Sequence, residues 1–180
     1  MPEWAWMVAA GAVLLVLAAG VAIYIVLHRR YTRRALMRLI VKAEAVDAAG
    51  DALSDVARQV GEGEYEVAEA FAFDPDSVER RALAEVHDRA AILVGELDAM
   101  PMPKRLVPVA DALADAAYTV REQAGCVKDG HVGPEALEAL AEVDLGLVDT
   151  YRKKARILIS EACEHYGLDD TAVYGGGLYL

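Results

Sequence analysis

The sequence predicts an all-α protein with a single N-terminal transmembrane helix, an antiparallel (up-down-up-down) four-helix bundle and a short flexible C-terminal tail. Three observations predict this fold class. Residues 4–27 contain no charged side chain. Four later segments place apolar residues three and four positions apart, which is the spacing of one helix face. Glycine and proline, which end helices, separate these segments from one another.

The uncharged run over residues 4–27 is long enough to span a membrane. Its 24 residues form a helix of about 36 Å, and the hydrocarbon core of a bilayer is about 30 Å thick. Basic residues are concentrated in the segment that follows, residues 28–42, which we name the polybasic juxtamembrane segment. Because basic residues stay in the cytoplasm, we expect residues 1–3 outside the cell membrane and the bulk of the chain in the cytoplasm. The candidate contacts with anionic lipid headgroups are Arg29, Arg30, Arg33, Arg34, Arg38 and Lys42.

Charge is divided unevenly along the chain. Residues 43–180 hold 28 of the 29 acidic residues and 12 of the 18 basic ones. Nucleic acid repels an acidic body, so we do not expect the protein to bind nucleic acid. Cys126 and Cys163 are far apart and form no C-x-x-C pair, which argues against a zinc or disulfide framework.

The acidic body, residues 43–167, contains most of the predicted bundle. Its first helix begins within the polybasic segment, and a proline after the capping residue Asp74 marks the start of the second. Short connections between amphipathic helices favour antiparallel neighbours. Residues 62–73, between the first and second helices, are assigned to a short extra helix. The four bundle helices cover residues 32–60, 75–100, 104–124 and 134–167.

Two apolar features are candidate sites for a protein partner. Phe71 and Phe73 would bind a partner if exposed, and would cap the core if buried. The tail, residues 168–180, contains three consecutive glycines and apolar side chains that suit an apolar groove, or that fold back onto the end of the bundle. The candidate partner-binding residues are Phe71, Phe73, Tyr174, Leu178, Tyr179 and Leu180.

The sequence shows no catalytic or cofactor signature, so we do not expect an enzyme. A di-metal bundle needs a Glu-x-x-His pair on each of two helices, and the chain contains no such pair. A weaker candidate ligand site lies on the fourth helix, where a carboxylate and a histidine share one face. Its residues are Asp144, Tyr151, Glu161 and His165. The nearby basic run is assigned to a solvated face and consists of Arg152, Lys153, Lys154 and Arg156.

These features together predict a single-pass membrane-anchored scaffold or protein-interaction module without catalytic activity. Its expected partners are the membrane and a protein that the sequence does not identify. The alternative is a membrane-anchored sensor that binds a small ligand or a metal ion within the bundle. A narrow apolar seam along the helices also leaves self-association open.

Overall fold

A computed structural model of the chain describes residues 3–127 and 130–168, with side chains from Leu15 onward except that of Val16. All regular structure in this part of the chain is α-helical, so the all-α class and the helical bundle are confirmed. The helices are α1 (Glu3–Glu62), α2 (Tyr65–Phe73), α3 (Val78–Ala99), α4 (Val107–Ala124), α5 (Pro134–Ala141) and α6 (Leu145–Tyr166).

The long helices α1, α3, α4 and α6 pack side by side and run antiparallel to their neighbours. Within each neighbouring pair, the residue number rises along one helix as it falls along the other. The contacts that show this are Lys42 with Glu96 and Tyr31 with Pro101 for α1 and α3, Asp47 with Arg152 and Arg33 with Tyr166 for α1 and α6, and Asp115 with Lys154 and Gln123 with Asp144 for α4 and α6.

The core follows the predicted apolar stripes. Leu36, Leu39 and Leu53 of α1 are fully buried. They belong to two clusters that follow one another along the bundle, one nearer the start of the α1 stripe and one nearer its end. The short helices α2 and α5 pack against each other and cover the second cluster. Gly133 donates a backbone hydrogen bond of 2.8 Å to the carbonyl oxygen of Ala72, which joins the two short helices.

The predicted fourth helix is divided into α5 and α6. Asp144 is the N-cap of α6, and its Oδ1 accepts a hydrogen bond of 2.8 Å from the backbone N–H of Leu147. The backbone N–H of Asp144 donates to Oε1 of Gln123 at 2.7 Å. The apolar stripe does not reveal this break, because Leu140 and Leu147 keep a seven-residue spacing across it.

The predicted transmembrane helix over residues 4–27 and the membrane localisation are wrong. Within the described part of the chain, no helix has an apolar stretch long enough to cross a membrane. Residues 4–27 are the first part of α1, which continues to Glu62 without interruption. The basic residues that follow lie where α1 enters the bundle, since the first buried side chain described on α1 is Thr32.

Candidate functional site

The N-terminal part of α1 projects beyond the bundle. Tyr31 lies beside Pro101, just after the end of α3, and Arg33 lies beside the end of α6, so residues before them pass these helix ends. Every side chain described from Leu15 to Tyr31 is exposed, and Thr32 is the first buried one. We name residues 15–27 the projecting segment.

The projecting segment presents large apolar side chains to its surroundings. Their exposed fractions range from 47% to 74%. They include five consecutive residues, which occupy all sides of a helix because successive residues are about 100° apart. A contiguous exposed apolar surface of this kind marks an interaction site. These side chains are Leu15, Leu17, Val21, Ile23, Tyr24, Ile25, Val26 and Leu27.

Two of the six basic residues predicted to contact lipid headgroups are held by other parts of the bundle. Lys42 pairs with Glu96 of α3. Arg33 donates to the carbonyl oxygens of Tyr166 at 3.0 Å and Gly167 at 2.8 Å, at the C-terminal end of α6. The other four are exposed, and no carboxylate among the described residues pairs with them. They are Arg29, Arg30, Arg34 and Arg38, and we name them the basic collar.

A cleft of about 780 Å³ lies where the projecting segment meets the end of α6. One wall belongs to α1 and the other to the last turn of α6 and to Arg105, just before α4. Its surface combines apolar side chains with four arginines and one carboxylate, Glu164, and we name it the basic cleft. The lining includes an apolar wall on α1 and three arginines without a carboxylate partner among the described residues. These residues are Tyr24, Ile25, Val26, Arg29, Arg30 and Arg105.

Phe71 and Phe73 do not form a common surface. Phe71 is fully buried in the core, and the guanidinium of Arg80 lies 5.3 Å from its ring centroid. Arg80 also donates to the carbonyl oxygens of Phe71 at 2.6 Å and of His131 at 2.7 Å. Phe73 is 62% exposed, close to Gly133. The other candidate partner residues, Tyr174, Leu178, Tyr179 and Leu180, lie outside the described residues.

The four candidate ligand residues of the predicted fourth helix do not form one site. Glu161 and His165 are exposed near the end of α6 and line one pocket, whereas Asp144 caps the start of that helix, about 25–32 Å away along its axis. Tyr151 is half-buried between them, and Nζ of Lys154 lies 5.9 Å from its ring centroid. No group of three potential metal ligands occurs among the described residues.

The cysteines are placed as ordinary thiols. Cys163 is buried in the core. Burial raises the pKa of the Cys126 thiol, so this thiol stays protonated near neutral pH. Because the thiolate is the reactive form, Cys126 lacks the low pKa that marks an activated nucleophile.

A polar network that the sequence analysis did not predict joins α1 and α6. Arg152, predicted to be solvated, is only 5% exposed. Its Nε donates to Oδ1 of Asp47 at 2.9 Å, and its Nη2 donates to Oδ1 of Asp51 at 2.6 Å. Burial alone would lower the pKa of Arg152, but the hydrogen bonds to Asp51 and Asp47 outweigh it and raise the pKa. The signal in the sequence is Gly50, which interrupts the apolar stripe of α1.

The effect of Gly50→Ala on the free energy of unfolding should have opposite signs in the wild type and in the Arg152→Ala protein. An added Cβ would lie 2.8 Å from Nη1 and 2.9 Å from Cδ of Arg152, so the buried side chain would have to move. In a helix without such a neighbour, alanine is favoured over glycine by about 1 kcal/mol. We therefore expect Gly50→Ala to destabilise the wild type and to stabilise the Arg152→Ala protein in urea denaturation. The same sign in both proteins would contradict the close packing of Arg152 on Gly50.

The distinguishing feature of the described structure is a surface: an exposed apolar helix segment followed by a basic collar. Exposed apolar surface gains free energy when it is buried, and charges beside such a surface set the orientation of whatever covers it. Comparison of the chain with protein-family models, with curated proteins and with solved structures finds no match.

Proposed function

We propose that the protein is a helical scaffold that assembles with further copies of itself through the projecting segment of α1. The observation that carries this proposal is the exposure of large apolar side chains on all sides of that segment. Burying apolar surface stabilises an association by about 25 cal/mol per Å². Every copy carries the same apolar segment, so identical segments can cover one another, as in the isologous interfaces of symmetric assemblies.

The charges next to the projecting segment favour an antiparallel arrangement of copies. In a parallel pair, the basic collars of two copies would lie side by side and repel each other. In an antiparallel pair centred near Val21, each collar lies beside the uncharged residues 4–13 of the other copy's α1, and the two bundles lie at opposite ends. The exposed residues Ala18, Gly20 and Ala22 are small, so the two helix axes can approach closely.

The effect of a charge in the projecting segment tests this proposal. Ile23 and Ile157 are both 59% exposed, but Ile23 lies in the projecting segment and Ile157 lies on the outside of the bundle. We expect Ile23→Glu to raise the dissociation constant of the assembly at least tenfold, a loss of about 1.4 kcal/mol, because the charge would be buried at the interface. The measurement is sedimentation velocity over a concentration series.

Ile157→Glu is the matched control, since it places the same charge on an equally exposed isoleucine elsewhere. We expect its sedimentation to equal that of the wild type. A wild-type chain that sediments as a 19.4 kDa monomer at all concentrations would contradict the proposal. An equal loss of association in both variants would also contradict it, because the projecting segment would then have no special role.

A scaffold of this kind needs no catalytic activity, and its proposed partner is another copy of the same protein.

The alternative function, a sensor that binds a ligand within the bundle, has less support from the geometry. Glu161 and His165 line one pocket on the surface near the end of α6, but Asp144 and Tyr151 do not belong to it. No observation in the described part of the chain favours a ligand within the bundle core.

A further inference from the structure

We infer that the basic cleft is the docking site of the chain's own C-terminal segment, residues 169–180. This contact lies within one chain and does not depend on the proposed assembly between chains. Three observations support it: the point at which the chain leaves α6, the charge of the cleft, and the match between the apolar side chains of the cleft and those of the segment.

The structure fixes the point at which the chain leaves α6. Gly167 adopts the left-handed conformation, with φ 60° and ψ 44°, and the backbone N–H of Leu168 donates to the carbonyl oxygen of Cys163 at 2.9 Å. This is the hydrogen bond of a Schellman motif, and the Leu168 side chain packs against the core as that motif requires. Nη2 of Arg33 in α1 donates a hydrogen bond of 2.8 Å to the carbonyl oxygen of Gly167. The described chain therefore ends beside the basic cleft, which Gly167 helps to line.

The charge of the cleft complements the start of the segment. Four arginines and one carboxylate, Glu164, line the cleft, so its charge is positive. Three of these arginines, Arg29, Arg30 and Arg105, pair with no carboxylate of the described residues. The segment opens with Asp169 and Asp170, directly after the last described residue. Attachment to the same chain gives the segment an effective concentration of the order of millimolar. Weak ion pairs and modest apolar burial are therefore sufficient to hold it in the cleft.

The apolar residues of the segment match the exposed apolar wall of the cleft. Tyr24, Ile25 and Val26 are 47–68% exposed on this wall. They lie no more than about 14 Å from the level of Arg33 along the axis of α1. The 12 residues of the C-terminal segment reach about 40 Å when extended, so the segment is long enough to contact this wall. The three glycines at 175–177 let the segment turn along the cleft. Its apolar side chains are Val173, Tyr174, Leu178, Tyr179 and Leu180.

Site-specific photocrosslinking of the full chain tests the docking. Tyr179 is replaced by benzoylphenylalanine, an equal mixture of isotope-labelled and unlabelled protein is irradiated, and the crosslinked residues are located by mass spectrometry. We expect crosslinks within one chain, concentrated at residues 24–33 and 164–167. Arg29→Glu combined with Arg30→Glu should reduce their yield at least fivefold, because the acidic start of the segment would be repelled.

Arg34→Glu combined with Arg38→Glu is the matched control. These arginines belong to the same exposed collar of α1 but do not line the cleft, so the crosslink yield should not change. Crosslinks to other surfaces, crosslinks between labelled and unlabelled chains, or an equal loss in both double variants would each overturn the inference. Repeating the experiment with Ile23→Glu separates the two proposals, since docking should persist in that protein whether or not the wild type assembles.

Discussion

Replacing Arg152 by alanine should lower the free energy of unfolding by about 3 kcal/mol, the lower part of the range for breaking a buried ion pair. The guanidinium joins α6 to α1 through Asp47 and Asp51, and it is 5% exposed. Removing it leaves the half-buried carboxylate of Asp47 with Arg156 alone, at 2.8 Å. The measurement is urea denaturation at one fixed protein concentration, since association would otherwise contribute to stability.

Lys153→Ala provides the matched control for Arg152→Ala. Lys153 is the next residue of α6, but its side chain is exposed and pairs only with Asp149 of its own helix, at 3.2 Å. A surface pair of this kind contributes between 0 and about 1 kcal/mol. Equal losses in the two variants would show that Arg152 contributes no more than a solvated charge.

The apolar stripes could be predicted from sequence because burial of one helix face imposes a regular spacing. Leu36, Leu39 and Leu53 of α1 follow that spacing and are fully buried. The spacing carries no information about a break that preserves it, and so the start of α6 at Asp144 was not predicted. The cap there depends on hydrogen bonds of Asp144 with Leu147 and Gln123. The spacing of apolar residues carries no information about such hydrogen bonds.

The polar network was missed for a different reason. A run of four basic residues within five positions reads as a solvated face, and three of its members, Lys153, Lys154 and Arg156, are indeed exposed. Arg152 is buried because the position opposite it on α1 is Gly50, whose missing side chain leaves space for the guanidinium. Pairing of this kind joins residues about one hundred positions apart, so a pattern along a single helix does not show it.

Composition alone did not predict the environment of the apolar residues at the start of α1. An uncharged run at the N-terminus predicted a membrane anchor, but no helix in the described part of the chain has an apolar stretch long enough to cross a membrane. The exposure of those side chains and the geometry of the basic cleft depend on where α3 and α6 end beside α1. Such relations between distant segments exist only in the folded chain.

Phe71→Ala should destabilise the protein by about 3–4 kcal/mol, whereas Phe73→Ala should change stability by less than about 1 kcal/mol. The two side chains are two positions apart on α2, but Phe71 is fully buried and Phe73 is 62% exposed. Removing the Phe71 ring opens a cavity in the core and takes away the aromatic face under the guanidinium of Arg80. Urea denaturation of both variants at one protein concentration measures the difference.

Phe71→Leu is the control that separates loss of volume from loss of the aromatic ring. Leucine fills much of the same space, so it should recover at least half of the stability lost in Phe71→Ala. A Phe71→Leu protein as unstable as Phe71→Ala would assign the effect to the contact with Arg80 instead. Equal stability losses in Phe71→Ala and Phe73→Ala would contradict the burial of Phe71, and with it the role of α2 in covering the end of the core.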